Sequence, residues 1–377
     1  MSEMYKSILL IKPSSLGDIV MALPALSSLR RSFPQARISW LVRPEFAPLI
    51  EGHPHLDEIF LFDRKSLGRA WRHPGAFGQL MDLIRRLRRG RFDAVLDLQG
   101  LFRTASLAWL SGCKRRFGPI WRHELAHHFY TTKIPPRMEW VHVIDYYRKL
   151  LEAMGASDLG VEFVLPEKPA AAASARDLLR RSLKCEVSSV KCQAKAGAAE
   201  AETSDFKLQT SNFEHPYAVI IPGSAQVSKC WPADRFAALS DRLASEHGLA
   251  VFATGGKSES PMIEQIQSLA KRPIANLAGR TSLPELVEVL RRAKLVVSND
   301  TGPGHIAAAL GRPLVMMFSW SNPLRVGPYG RPECIVARDA ASRGLAIKSR
   351  DPQHAIQHIA FDEVYAKVAE QLRRANS

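Results

Sequence analysis

The sequence has no Cys-x-x-Cys pair; its five cysteines, at 113, 185, 192, 230 and 334, stand alone. Zinc ribbons and thioredoxin-type dithiols need closely spaced pairs, so both are excluded. A sparse, odd set fits a reducing compartment. The chain also lacks any apolar run of the about 18 residues that a membrane span requires. The apolar run Ile8 to Ile11 ends at Lys12 and Pro13, too short for the core of a signal peptide. The expected location is therefore the cytoplasm. Acidic residues are in short supply: 37 Asp and Glu stand against 52 Lys and Arg, a formal charge of +15. That balance excludes an acidic solvating protein and points to an anionic partner such as nucleic acid, a membrane surface or a phosphorylated or carboxylated substrate. Neither G-x-x-x-x-G-K-[ST] nor G-x-G-x-x-G occurs, so a P-loop nucleotidase is unsupported and a dinucleotide site lacks its fingerprint.

What is present is an ordinary globular composition, 46% hydrophobic and 24% charged over 377 residues. That length suggests two domains. Short apolar runs alternate with helical patterns. Strands are expected at Ser7 to Ile11, Ile38 to Val42, Glu58 to Phe62 and Ala94 to Leu98, with helices at Asp18 to Ser32 and Phe77 to Arg89. The scheme repeats later, with strands at Tyr217 to Ile221, Ala250 to Ala253, Leu295 to Ser298 and Leu314 to Phe318. Helices are expected there at Ala233 to His247, Ser260 to Leu269, Leu283 to Arg292 with Ser282 as N-cap, Gly304 to Leu310 and Asp362 to Arg374. Strands separated by helices of this length imply βαβ units around parallel sheets. The segment 184–215 is rich in Ala, Ser, Lys, Glu and Thr and reads as a flexible linker or insertion, with a local helix at Ala194 to Ala201 as the alternative. The expected domains are 1–183, 216–350 and a closing helical segment, 351–377.

Four strand-to-helix turns carry groups able to do chemistry. Lys12-Pro13-Ser14-Ser15-Leu16-Gly17-Asp18 places a carboxylate where a parallel strand ends. Ligands bind in open α/β sheets at such ends. Asp18 is either a general base there or a first-turn anion favoured by the helix dipole. Ser298-Asn299-Asp300-Thr301-Gly302-Pro303-Gly304-His305 opens a helix whose free N–H groups suit a diphosphate, with Thr301 and His305 as further donors. The bland reading is a tight turn with a capping Asp. Pro222-Gly223-Ser224-Ala225 with Lys229 offers a mobile cation for phosphate, or merely a solvated lysine. Thr254 to Glu259 offers a carboxylate for ribose hydroxyls, or a plain turn.

In this order the pieces resemble glycosyltransferase family 9, the heptosyltransferases of lipopolysaccharide core synthesis. The resemblance runs from Ile8–Leu26 through Asp97-Leu98-Gln99-Gly100-Leu101, His142 with Asp145, and Lys229-Cys230-Trp231-Pro232 to Asp300-Thr301-Gly302-Pro303-Gly304-His305-Ile306-Ala307. The start and the Asp-Leu-Gln-Gly run look closest to heptosyltransferase I. The resemblance implies an α/β GT-B fold, two Rossmann-like domains facing across a cleft, acceptor on the first and nucleotide sugar on the second. The final helix would return to the first domain. It implies inverting transfer of heptose from ADP-L-glycero-D-manno-heptose to Kdo of lipid A, with no cofactor and no metal. Asp18 would be the general base. Lys229 and the Thr301-Gly302-His305 turn would hold the diphosphate, as would Ser224; Asp300 would belong to the same donor site, and Glu259 would match the ribose-binding carboxylate. Ser15, Arg64, Lys65, Arg69, Gln99 and Arg122 would hold the acceptor. Gly304 stands where larger residues are common in the family, and 184–215 appears expanded.

The protein would act as a monomer on the inner face of the inner membrane. Arg85 to Arg91, five arginines in seven residues, would face anionic lipid. A nucleic-acid-binding role is unsupported, since no helix-turn-helix, RNA-recognition or zinc module is recognisable. A non-catalytic relative and a transferase with another donor stay open.

Overall fold

The apolar runs become two parallel sheets. The computed structural model describes residues 5–63, 73–120, 125–135, 142–196 (backbone alone for 184–196), 215–344 and 346–375. The chain divides into two units at Pro166/Glu167.

In the first unit six strands, β1 (Ser7–Ile11), β2 (Arg37–Val42), β3 (Glu58–Leu61), β4 (Ala94–Asp97), β5 (Arg116–Pro119) and β6 (Thr132–Ile134), lie in the order β3-β2-β1-β4-β5-β6. All pairings are parallel. Central strands of such a sheet are covered on both faces and so read as unbroken apolar runs; all five residues of β1 are buried. The accompanying helices are α1 (Leu16–Ser32), α2 (Ala47–Ile50), α3 (Pro74–Arg89), α4 (Phe102–Leu110) and α5 (Val143–Ala153).

The second unit holds α6 (Pro169–Ala196), β7 (Tyr217–Ile221), α7 (Ala233–His247), β8 (Ala250–Ala253), α8 (Ser260–Leu269), β9 (Ile274–Asn276), α9 (Leu283–Arg291), β10 (Leu295–Asn299), α10 (Gly302–Ala309), β11 (Leu314–Phe318), α11 (Pro323–Val326), β12 (Ile335–Ala337) and α12 (Phe361–Arg374). Its strands, again all parallel, run β12-β11-β10-β7-β8-β9. Both sheets therefore share one winding: the chain builds outward from the centre, returns, and builds the other way. The direction reverses between β1 and β4 in the first sheet and between β7 and β10 in the second. These are the topological switch points, where a crevice opens at the strands' carboxyl ends.

Two expectations about organisation are corrected. The boundary falls at 166/167 rather than near 183, because α6 belongs to the second unit. Ala172, Ala175, Leu178, Leu179 and Leu183 are buried, the helix packs on α9 and β9, and Ser174 Oγ hydrogen-bonds the Glu285 carboxylate. The first part of the expected linker, through Ala196, continues that helix; 197–214 lie outside the described residues. The closing helix α12 packs on its own unit. Val364, Val368 and Leu372 join the core of the second sheet, and Phe361 stacks on Trp231 at 6.3 Å.

Candidate active site

Each switch point collects the residues singled out in the sequence. In the first unit Lys12 directly follows β1 and is 4% exposed. A lysine so placed needs compensation. Its Nζ lies 3.5 Å from Asp18 Oδ1, donates to the Leu98 carbonyl at 3.4 Å, and sits 5.7 Å from the centre of the Tyr147 ring. Burial works against its charge, but Tyr147 and Asp18 outweigh that and hold the ammonium above the ordinary lysine range. Asp18, in the first turn of α1, keeps about a third of its side chain in solvent. Its Oδ2 accepts from the Ser15 backbone N–H at 3.0 Å and the Ser15 hydroxyl at 2.7 Å. The carboxylate is thus fixed by two donors and a buried cation while still reaching solvent. That is what a positioned base requires.

Across the crevice, β4 ends in Asp97, fully buried. It accepts from Tyr130 Oη at 2.7 Å and from the N–H groups of Gln99 and Gly100 at 2.8 and 3.1 Å. Burial pushes its carboxyl up, against these hydrogen bonds. Asp97 shapes the loop: Gly100 turns with φ +72°, a conformation that costs a side chain dearly. Gln99 is brought beside the end of β1, with its Oε1 buried and without a hydrogen-bond partner among the described residues.

In the second unit Lys229 Nζ binds Asp300 Oδ2 at 2.9 Å and Ser321 Oγ at 2.8 Å. His305 Nε2, from the first turn of α10, lies 3.6 Å from Asp300 Oδ1. The Lys229 and Asp300 side chains are only 14% and 11% exposed. Burial would raise the Asp300 carboxyl, but His305, Lys229 and Ser321 together hold it well below the usual range. Beneath them Asn299 donates to the Pro222 carbonyl at 2.6 Å and accepts from the Trp231 N–H at 3.2 Å. It ties the turn after β7 to the turn after β10. Thr301 is the N-cap of α10 but makes no capping hydrogen bond, leaving the first N–H groups of that helix available to an anion. Gly304 has no room for anything larger: a Cβ there would lie 2.7 Å from Ser298 Oγ and 3.1 Å from Met316 Cε.

The turn after β8 joins this group. Glu259 Oε2 accepts from the Gly256 N–H at 2.6 Å, and its carboxylate lies close against Gly223, where a Cβ would sit 1.9 Å from Oε1. Glu259 and the Gly223-Ser224 turn are therefore neighbours.

The structure thus brings together Ser15, Asp18 and Gln99 at one switch point, and Ser224, Lys229, Glu259, Asp300, Thr301, Gly302 and His305 at the other. Arg64, Lys65, Arg69 and Arg122 lie outside the described residues. One reading changes: Lys229 is not a loose solvated cation but one arm of a buried ion pair. Lys12 could have been noticed as a charge directly following the apolar run Ile8 to Ile11. Ser321, Tyr130 and Tyr147 carry no local signal, because each meets its partner only through the fold.

Comparison with known proteins gives the family. The family model of glycosyltransferase family 9 (heptosyltransferase) matches residues 80–352. Lipopolysaccharide heptosyltransferase 3 of Escherichia coli K12 is 25% identical over 80% of this chain and 79% of its own length. Lipopolysaccharide heptosyltransferase 1 of Pseudomonas aeruginosa is 27% identical over 88% and 84%. The solved structure of E. coli heptosyltransferase WaaC with ADP superposes with a TM-score of 0.69 at 22% identity, covering 97% and 99%.

Proposed function

The chain belongs to glycosyltransferase family 9, and from that premise we propose that it transfers heptose, with inversion and without a metal, from ADP-L-glycero-D-manno-heptose to the Kdo of lipopolysaccharide inner core. Its fold is the GT-B arrangement of two Rossmann-like units. The observation that carries the reading is a pair of switch-point centres with complementary chemistry. One offers an open, oriented carboxylate; the other offers a buried cation, a histidine and an uncapped helix start.

The acceptor hydroxyl attacks the anomeric carbon while the bond from that carbon to the β-phosphate oxygen breaks. Asp18 takes the hydroxyl proton, and ADP leaves with the bonding electrons. Charge growing on the diphosphate is met by Lys229, His305 and the α10 N–H groups, donors already in place before the reaction. Glu259 receives the ribose hydroxyls. The test is mass spectrometry of products from a panel of nucleotide sugars with Kdo₂-lipid A, in EDTA and with added Mg²⁺. Heptosylated Kdo₂-lipid A formed equally in both supports the reading. Activity only with Mg²⁺ refutes the metal-free mechanism, and activity only on an already heptosylated core moves the acceptor further along. The relatives include heptosyltransferases 1 and 3, which makes the later acceptor the second reading.

Gly223→Ala probes the ribose carboxylate. The new methyl group meets the far end of the flexible Glu259 side chain rather than backbone, so the carboxylate moves and the fold does not. Thermal stability should change little, while ADP binding weakens roughly tenfold, the loss of a charge-assisted hydrogen bond. Unchanged ADP affinity by calorimetry would take Glu259 out of the site.

Peripheral attachment to an anionic bilayer is part of the proposal. Among the described residues no helix is long and apolar enough to cross a membrane. Arg85, Arg86, Arg88 and Arg89 are exposed on α3, although Arg85 pairs with Asp82 and Arg86 lies over the Phe60 ring. Each basic residue near such a surface contributes about 1 kcal/mol. Replacing all four with Ser should reduce sedimentation with anionic vesicles more than turnover of a delipidated acceptor. Sedimentation indifferent to both salt and substitution would make α3 an ordinary solvated face.

A further inference from the structure

The second sheet has a second concavity, at the opposite end from its switch-point crevice. It has a volume of about 480 Å³ and lies where β7, β10 and β11 begin. His215 and Pro216 immediately precede β7, Arg292 to Lys294 precede β10, and Arg312 and Pro313 precede β11. α6 contributes Arg176 from its third turn and Leu179 beside it. Five basic side chains, Arg176, His215, Arg292, Lys294 and Arg312, thus converge on one hollow, and no acidic residue lines it among the described residues. Arg176, Arg292 and Arg312 make no ion pair among the described residues.

Two of these cations have a simpler reading. Arg292 caps the end of α9, and Arg312 follows α10, where the helix dipole favours positive charge. That reading does not reach Arg176, eight residues into α6 and on a different wall. Nor does it account for an apolar floor, with Tyr217 and Leu179 both buried, beneath a rim of one sign. Like charges crowded round a concavity raise the local concentration of anions there, and the volume is in the range of ligand pockets. Guanidinium groups, planar and multidentate as donors, suit phosphate oxyanions approached from separate walls.

We propose that this hollow is a second anion site that takes clustered phosphate groups, either a soluble diphosphate or a phosphorylated lipid headgroup. It is separate from the Lys229–Asp300 centre and does not depend on the transferase reading.

The test titrates inorganic pyrophosphate into the full-length protein at low salt, by calorimetry, with three variants. Binding should persist in Lys229→Ala, weaken at least about tenfold in Arg292→Ser/Arg312→Ser, and recover in part, through charge alone, in Arg292→Lys/Arg312→Lys. Matching thermal unfolding of the two double variants separates lost binding from lost folding. Sedimentation with phosphatidylglycerol-containing vesicles, for the same proteins, separates the sources. Loss of pyrophosphate binding with vesicle binding unchanged identifies a soluble phosphate ligand. Loss of vesicle binding in the Ser variant, recovered in the Lys variant, identifies a headgroup site. A serine double variant that matches wild type in both measurements overturns the proposal, and so does pyrophosphate binding that vanishes in Lys229→Ala with vesicle binding unaltered in the serine variant.

Discussion

Asp18→Asn should lower kcat by about 10²–10⁴, the usual worth of a positioned base, with ADP affinity unchanged within about twofold. The amide keeps the shape of the carboxylate and can still accept from Ser15, whose N–H and hydroxyl lie 3.0 and 2.7 Å away. What it loses is the ability to take a proton. The nucleotide-binding groups assigned above all belong to the other unit, which is why kcat and ADP binding should separate. Single-turnover measurement with saturating donor is the check; a fall of less than about tenfold would remove Asp18 from the chemistry. Lys12 adds a constraint on pH. Its ammonium is held above the ordinary 10.5, so the stabilisation it gives is complete below that value and is lost only as pH rises beyond its folded-state pKa. Any loss of rate between about pH 7 and 9 therefore does not come from Lys12.

Asp300→Asn should have the largest effect on the fold. It leaves Lys229, 14% exposed, with Ser321 and no counter-charge. Removing one partner of a buried pair typically costs about 3–5 kcal/mol. Donor affinity should fall too, because Lys229 then has no fixed position. The control is Lys229→Ala/Asp300→Asn, which removes both charges and should recover part of the stability while leaving donor binding weak. Additive losses in denaturant unfolding would show that the pair is not coupled. The acid limb follows from the same shift. Asp300 is held below its ordinary 3.8, so its contribution is complete above about pH 5 and disappears as pH falls through the lower folded-state value. Wild type should therefore lose stability relative to Asp300→Asn as the solution is acidified below about pH 4.

Much of the architecture was legible because parallel sheets buried on both faces leave uninterrupted apolar runs. β1, β7, β8 and β11 fall at the expected residues, and α7 and α8 match their helical spacing end to end. Short edge strands such as β6 and β12, three residues each, carry too little pattern to be seen. The ownership of α6 and α12 was not legible either. An amphipathic helix states that it has an apolar face, but not which sheet will cover it. Leu178, Leu179, Val364 and Val368 are equally apolar whether they pack forward or back along the chain.

The sequence by itself determined the two βαβ arrays, the turns at which chemistry sits, the excess of positive charge and the family. These depend on residue type and spacing over a few positions, where local geometry is fixed by the backbone. Tertiary structure alone decided who meets whom. Lys229 reaches Asp300 across 71 positions and Ser321 across 92; Tyr130 reaches Asp97 across 33. In each case the partners are joined by strand order, which sets neighbours according to winding rather than distance along the chain. Only once the sheet reverses direction at β7 and β10 does a lysine on one turn find the carboxylate on another. Burial then makes that meeting matter, since a charge removed from water must be matched by whatever the fold places beside it.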